Sequence, residues 1–315
     1  MKAFLLRRIL VILPVMLLVS LGSFSLIYLA PGDPAEILLA SPGGGVDREA
    51  VEEFREKMGF DQPFVVQYAL WLGRALRGDL GYSYMTGQPV FQAVLDGFWP
   101  TLKLSLFAMA ISLAISIPLG IWSAMRPGSI ADRLGYWGAL LGVSLPNFWQ
   151  AYLLILLFAL GLGWFPVAGY GNGGDLNHLV LPAIVLGTAS AAVMTRLMRS
   201  SMQEVLEQDY INAARTKGLG ENEVVLKHAL KNALIPVATM AGLSFGYMLN
   251  GSVVVETIFA WPGIGGLMVY SIYQRDYPLI QGTVLFVALL FMSINLLVDL
   301  SYSLLNPRIR YDAGK

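Results

Sequence analysis

The sequence predicts an all-α membrane protein of six transmembrane helices with both termini on the cytoplasmic side. Three observations carry that prediction. Mean hydropathy is +0.62, and only 13% of residues are charged, against roughly 25% in ordinary soluble domains. Six stretches without Asp, Glu, Lys or Arg are suited to a hydrocarbon layer about 30 Å thick, which takes about 20 helical residues. They are Ile9–Ala30, Leu104–Met125, Leu134–Leu160, Leu179–Thr195, Ala233–Val255 and Leu279–Val298. Finally, basic residues gather on one side, as they do on the cytoplasmic face of membrane proteins. With the N-terminus inside, Met1–Arg8, Arg126–Arg133, Arg196–Lys231 and Leu304–Lys315 hold fourteen of the 21 Lys and Arg residues.

Taken in order, the first stretch is expected to stay in the membrane as a helix. Its apolar run exceeds the 7–15 residues of a cleaved signal segment, and Pro31-Gly32-Asp33-Pro34 follows it. Residues 1–30 thus form a cytoplasmic tip and first crossing, and 31–99 an extracytoplasmic segment with ten acidic and five basic residues. Within that segment Asp47–Met58 reads as a short amphipathic helix stopped by Gly59. Phe64–Leu76 is apolar but too short to span, so it lies on the membrane or packs on the bundle. Residues 100–305 carry the remaining five crossings, and 306–315 a cytoplasmic tail. The fourth stretch is the shortest and can borrow Leu176–His178. Pro118 and Pro146 are expected to kink their helices. The outer loop Gly161–Asn177 has no Lys or Arg, and Thr257–Pro278 has only Arg275.

Several chemistries are excluded by residue type. There is no cysteine, hence no disulfide or thiol chemistry. His178 and His228 lack metal-ligand spacing and read as polar helix-end residues. No Gly-x-x-x-x-Gly-Lys-[Ser/Thr] phosphate loop is present. Equal numbers of acidic and basic residues, 21 each, give no bias towards nucleic acid. No cofactor or metal site is expected in this chain.

The longest inside connection, Arg196–Lys231, is composed rather than random. Asp209 suits a helix N-cap, Tyr210, Ile211, Ala213 and Ala214 continue the helix to Lys217, and Gly218 suits a left-handed stop. Gly220 then opens a second helix with Glu223 three positions on, a capping-box spacing. Val224, Val225, Leu226, Leu230 and Leu234 carry its apolar side. The product is a helix-turn-helix elbow at the inner face. Its alanines leave a bare backbone that another surface could approach closely, with Arg215 and Lys217 beside it. On residue chemistry alone a solvated connector touching anionic headgroups is an equal alternative.

That segment resembles the coupling loop of binding-protein-dependent ABC importer permeases, whose signature is Glu-Ala-Ala, three residues, then Gly. Here Asn212-Ala213-Ala214-Arg215-Thr216-Lys217-Gly218 stands at that spacing, with Asn212 in place of Glu. His228 to Pro236 is similar to the variant found in the dipeptide, oligopeptide and nickel subfamily. So are Pro31–Pro34, Arg77-Gly78-Asp79-Leu80-Gly81, Ser144-Leu145-Pro146-Asn147-Phe148-Trp149, Phe259-Ala260-Trp261-Pro262-Gly263, Arg275-Asp276-Tyr277-Pro278 and Asn306-Pro307-Arg308-Ile309-Arg310. The resemblance implies the type I ABC importer transmembrane fold. It implies as partners a second homologous permease, two cytoplasmic ATPase subunits holding ATP and Mg, and an extracytoplasmic solute-binding protein. It also implies a coupling helix from Asp209 to Leu219, with Ala213, Ala214 and Gly218 docking on an ATPase. The transported solute would be a short di- or oligopeptide, or else a nickel chelate or glutathione.

Within the spans, Gly242, Gly246 and Asn250 recur every four residues, as do Gly187, Ala191 and Thr195. Such faces either pack helices closely or line a path, and Asn147 is a further pathway candidate. Trp261, Gly263 and Gly265 of the outer loop are candidates for contact with the binding protein. A secondary carrier or channel would usually place ionisable residues mid-span, and an intramembrane enzyme would need a nucleophile–base or metal constellation. The sequence offers neither.

Overall fold

The computed structural model describes residues 2–29, 36, 48–58, 61–130, 132–133, 137–138, 142 and 144–305. Pro31–Pro34, most of 134–143 and the tail 306–315, with its Asn306–Arg310 motif, lie outside the described residues. Among those described, regular structure is helical apart from a single bridge between Tyr82 and Pro89. In order come α1 (Lys2–Leu29), α2 (Arg48–Met58), α3 (Phe64–Ala75), α4 (Val90–Met125) and α5 (Asn147–Leu154). They are followed by α6 (Leu176–Leu206), α7 (Asp209–Thr216), α8 (Leu230–Gly251), α9 (Val253–Ile258), α10 (Ile264–Tyr273) and α11 (Tyr277–Leu305). Helix α5 runs on as a π-helical segment, Ile155–Gly161. A short turn at Glu221–Glu223 and a π-helical stretch, Val224–Ala229, lead into α8.

Four helical segments are long and apolar enough to cross a membrane: Val90–Met125, Leu176–Leu206, Glu221–Asn250 and Tyr277–Val298. Leu10–Leu26 and Asn147–Gly161, within the first and third expected crossings, are shorter apolar segments. Several elements start earlier than the uncharged runs suggest. α4 begins at Val90 and carries Asp96, Pro100 and Lys103 before the apolar run at Leu104, because charged residues at a helix end can reach solvent without breaking the helix. α6 likewise takes in Leu176–His178. Pro146 supplies the extended residue before α5, φ −60° and ψ 139°, so the third stretch is interrupted there rather than merely bent. Pro118 sits inside an unbroken α4. The fifth stretch is two helices, parted at Ser252.

The chain forms two compact units. One comprises Met1–Phe98 and Leu267–Met292. Its core is aromatic: Phe24 of α1 meets Phe64, Tyr68 and Trp71 of α3 at ring-centroid distances of 5.5, 5.6 and 5.4 Å. A hydrogen bond of 2.8 Å joins Ser20 Oγ and Tyr68 Oη. These contacts resolve the Phe64–Leu76 alternative in favour of packing on α1. Asp276, fully buried, organises the same unit. Its carboxylate accepts from Ser83 Oγ (2.5 Å), Tyr84 N (3.2 Å), Met85 N (3.4 Å) and Leu279 N (3.4 Å). It thereby ties the loop before α4 to the first turn of α11, where free backbone N–H groups need an acceptor.

The other unit comprises Trp99–Gly266 and Ser293–Lys315. Its core stacks Leu104 and Ala108 with Leu179, Ala183, Met194, Met198 and Met202, and with Val224, Val225, Ala233 and Val237. Small residues set the approach of the helices. A Cβ on Gly187 would stand 2.7 Å from the Ala108 carbonyl oxygen, and one on Gly120 2.5 Å from Met198 Cβ. Ser112 Oγ donates to Gly187 O at 2.6 Å. Elsewhere apolar side chains such as Tyr152, Leu156, Leu157, Leu160 and Tyr247 point outward, as lipid-facing residues do.

Candidate functional site

The elbow forms as a helix, a tight turn and a second helix. Its first helix, α7, starts one residue earlier than Asp209 suggests. Gln208 holds the extended N-cap backbone, φ −71° and ψ 146°, without a side-chain cap bond. Asp209 is therefore already helical, and its carboxylate in the first turn favours the helix through the macrodipole instead. Lys217 is the C-cap, and Gly218 follows at φ +83°, the left-handed stop that glycine adopts without penalty. Gly220 is the N-cap of the second helix, but again no side chain caps it. Glu223 turns away from the expected capping box to pair with Lys227 at 2.7 Å, because an i,i+4 ammonium competes well for its carboxylate.

The two faces of α7 differ sharply. Ile211 is 0% exposed and Ala214 8% exposed, and both belong to the core beneath. Asp209, Tyr210, Asn212, Ala213, Arg215, Lys217 and Gly218 are exposed, and Leu219 is half-buried. The two alanines thus have separate places. Ala213 presents the bare outward backbone, whereas Ala214 faces inward and lets α7 sit close on the bundle. Two contacts that sequence reasoning missed hold the elbow in shape. Arg215 donates to Glu221 through Nε (3.2 Å) and Nη2 (2.7 Å), and Asn232 Nδ2 donates to Tyr210 Oη at 2.7 Å. The Arg215 hydrogen bonds hold the Glu221 carboxyl below its usual range and raise the guanidinium in turn. A basic and an acidic residue flanking a Lys-Gly turn were the available signal.

At the other end of this unit the loop after α9 wraps a buried carboxylate. Glu256 is fully enclosed and accepts from Thr101 Oγ1 (2.6 Å), Ser252 Oγ (2.7 Å) and Gly266 N (3.0 Å). Thr101 Oγ1 in turn accepts from Ile264 N at 2.9 Å, so its proton is free for Glu256. Trp261 donates through Nε1 to Pro100 O at 2.9 Å and meets Tyr170 edge-on at 4.7 Å. Gly263 lies directly against the Glu256 carboxyl, and a Cβ on Gly265 would stand 2.8 Å from both Glu256 Oε2 and Val253 Cα. Ala260 reaches φ +47° to make the bend. Trp261, Gly263 and Gly265 are all buried. Gly263 and Gly265 make room for the Glu256 carboxyl and the Trp261 N–H is spent on Pro100 O, so these three, expected as contacts for a binding protein, face the inside of the loop. Ala260 and Pro262 are its exposed members.

The helix-face candidates also resolve. A Cβ on Gly242 would meet Val298 Cγ2 at 2.7 Å, and one on Gly246 would meet Ile294 Cγ2 at 3.0 Å, so both glycines pack α8 on α11. Asn250 Nδ2 bonds back to Gly246 O at 2.9 Å. Asn147 is half-buried at the first position of α5. His178 follows Asp175, the N-cap of α6, whose carboxylate accepts from His178 N at 3.1 Å. Among the described residues no group of three or more His, Cys, Asp or Glu is disposed to hold a metal.

A multi-pass helical bundle with a braced elbow at one end and a hydrogen-bonded loop at the other is the architecture of a membrane-embedded transport subunit. The chain belongs to the family of binding-protein-dependent transport system inner membrane components, whose profile matches residues 116–311, and the companion N-terminal profile matches 1–105. It is 45% identical, over 99% of its length and all of the relative, to a putative peptide transport system permease protein of Brucella abortus. Over the same shares of each chain it is 40% identical to a dipeptide transport system permease protein of Alkalihalophilus pseudofirmus and 42% identical to a glutathione transport system permease protein of Salmonella typhimurium. Among solved structures, an inward-facing MetNI methionine ABC transporter aligns with 69% of this chain and 98% of its own at a TM-score of 0.56 and 19% identity. An amino acid ABC transporter aligns with 67% of this chain and 94% of its own, at 0.54 and 17%. Both likenesses concern the fold.

Proposed function

We propose that this chain is the permease of an ATP-driven importer of short peptides, coupled to its ATPases through the exposed face of α7. In this reading the chain crosses the membrane six times with both termini in the cytoplasm. Residues 1–30 supply the first crossing, 31–99 the extracytoplasmic segment, 100–305 the transport core and 306–315 the tail, and 196–231 is the coupling loop. A second homologous permease completes the path, two ATPase subunits bind ATP and Mg, and a solute-binding protein delivers the peptide from outside.

The observation that carries the proposal is the two-faced α7. Its inward face is locked into the bundle through Ile211 and Ala214, so a push on the outward face must move the core rather than bend a loose loop. The outward face, Asp209, Tyr210, Ala213, Lys217 and Gly218, combines one bare backbone position with charge and an aromatic ring. That suits a groove on a partner better than solvent. Leu219 anchors the turn beneath it. On the far side Ala260 and Pro262 offer the contact with the binding protein, held out by the Glu256 network.

The peptide substrate is supported by relatives whose names specify peptide and dipeptide transport over their whole length. Glutathione, itself a small peptide, falls in the same class. The deciding experiment reconstitutes the assembled transporter with Ala213→Glu. The complex is expected to fold and to retain the second permease, while peptide-stimulated ATP hydrolysis and uptake fall at least tenfold. Uptake at the wild-type rate would overturn the coupling role. Purification of the chain without bound ATPase and a second permease would overturn the assembly.

A further inference from the structure

We propose that the inner ends of α4 and α6 hold the phosphate of an anionic phospholipid, in a cavity of about 460 Å³ lined by Ser123, Asp132, Arg133, Trp137, Arg196 and Arg199. The inference uses the orientation given under the proposed function, in which this end faces the cytoplasm, but it is independent of the peptide substrate.

The cavity is built, not incidental. The loop after α4 turns at Gly128, φ +77°, whose N–H donates to Asp132 Oδ2 at 2.9 Å. Ser129 Oγ accepts from Asp132 N at 3.2 Å. Asp132, so fixed, engages Arg199 at 2.7 Å, and that guanidinium is thereby held at the cavity wall. The Gly128 N–H and Arg199 together keep the Asp132 carboxyl low, so its charge is committed to Arg199. Arg133 and Arg196 then contribute two positive charges, and neither makes an ion pair among the described residues. Ser123, 1% exposed, has an Oγ without a hydrogen-bond partner there. An anion with several acceptor oxygens answers both needs, since guanidinium groups bind phosphate oxygens through paired N–H donors.

The surroundings select a lipid over a soluble anion. Trp137 is 58% exposed at the rim, and Trp122, Met125 and Ile130, which lead into the loop, are 52%, 37% and 78% exposed. Exposed Trp beside clustered Arg is the composition of the headgroup level of a membrane. Basic pockets between helices on the cytoplasmic side are where acidic headgroups bind. A soluble phosphate would gain nothing from the apolar apron.

The test uses the whole transporter in nanodiscs of phosphatidylcholine with increasing phosphatidylglycerol. Lipid retained through detergent extraction is measured by native mass spectrometry. Wild type should retain phosphatidylglycerol in preference to phosphatidylcholine. Arg133→Gln or Arg196→Gln should weaken retention about fivefold, and the double variant about 30-fold, from roughly one favourable contact per arginine. Retention unchanged in the double variant, or no preference between the lipids in wild type, overturns the proposal. So does full protection of the site by inorganic phosphate at millimolar concentration in pure phosphatidylcholine, which would assign a soluble anion. Should the double variant fail to assemble, quenching of wild-type Trp fluorescence by brominated phosphatidylglycerol against brominated phosphatidylcholine decides: equal quenching refutes the site.

Discussion

Replacing Glu256 by Ala removes the one acceptor that two buried hydroxyls and a half-buried N–H share. Thr101 Oγ1, Ser252 Oγ and Gly266 N lie 2.6, 2.7 and 3.0 Å from its oxygens, and the side chain has no exposed surface through which water could replace it. Each buried donor left without a partner costs about 1–3 kcal/mol. Neighbouring losses are not additive, so the three together should cost about 3–5 kcal/mol. At about 1.5 °C per kcal/mol for a chain of 315 residues, this lowers the unfolding midpoint by about 4–8 °C. Glu256→Gln should fall between. Its amide oxygen can serve the two hydroxyls, but its NH₂ then confronts Gly266 N–H, a single unmet donor costing about 1–3 kcal/mol. The assay is thermal unfolding of the assembled transporter, with peptide uptake measured on the folded fraction. Glu223→Ala, which removes only the exposed pair with Lys227, is the control and should leave the midpoint where it is in wild type. A Glu256→Ala protein melting within about 2 °C of wild type would refute the assignment of this carboxylate as the organiser of the loop.

Further outcomes follow from the same packing. Ala214→Leu should destabilise the chain by about 1–3 kcal/mol, since Ala214 is 8% exposed within the core, whereas Ala213→Leu should melt as wild type does. Gly187→Ala forces a methyl towards Ala108 O, 2.7 Å away, and should cost a similar amount by thermal unfolding, because a backbone atom cannot yield as a side chain would. Burial, then the nearby Asp276 carboxylate, pushes the Tyr84 phenol up to about 12. The unfolded phenol titrates near 10, so this group stabilises the fold fully below pH 10 and loses that contribution as pH rises towards 12. Ultraviolet titration of phenolate in wild type against Tyr84→Phe should show one phenol ionising only near the top of that window, and its absence from the difference would refute the assignment. Arg215→Gln should leave melting within about 1 kcal/mol of wild type, because the pair with Glu221 is exposed. It should lower coupled ATP hydrolysis if the staple sets the angle of the elbow.

How much of this was legible beforehand depends on which force decides each feature. Solvent preference writes itself into composition. The apolar runs, the amphipathic Arg48–Met58 helix and the apolar α3 could therefore be read directly from the sequence. Backbone conformation is legible where a residue is nearly obligatory, as at Gly218 with its φ of +83°. Long-range pairing is not. Nothing local in the sequence says that Asp276 reaches back to Ser83, or that Glu256 meets Thr101. Both acidic residues lie at helix ends, where their charge alone suggests an exposed cap. The loop after α9 shows what this costs. Its glycines and tryptophan look like the ingredients of a recognition surface, yet Gly263 and Gly265 are small because a carboxylate fills the space beside them. The same logic separates Ala213 from Ala214. Their side chains are identical, and only the helical rotation of about 100° per residue, fixed by the burial of Ile211, turns one outward and the other into the bundle. The proposed coupling role needs both: an inward residue small enough to seat α7 on the bundle, and an outward one small enough for a partner to approach its backbone.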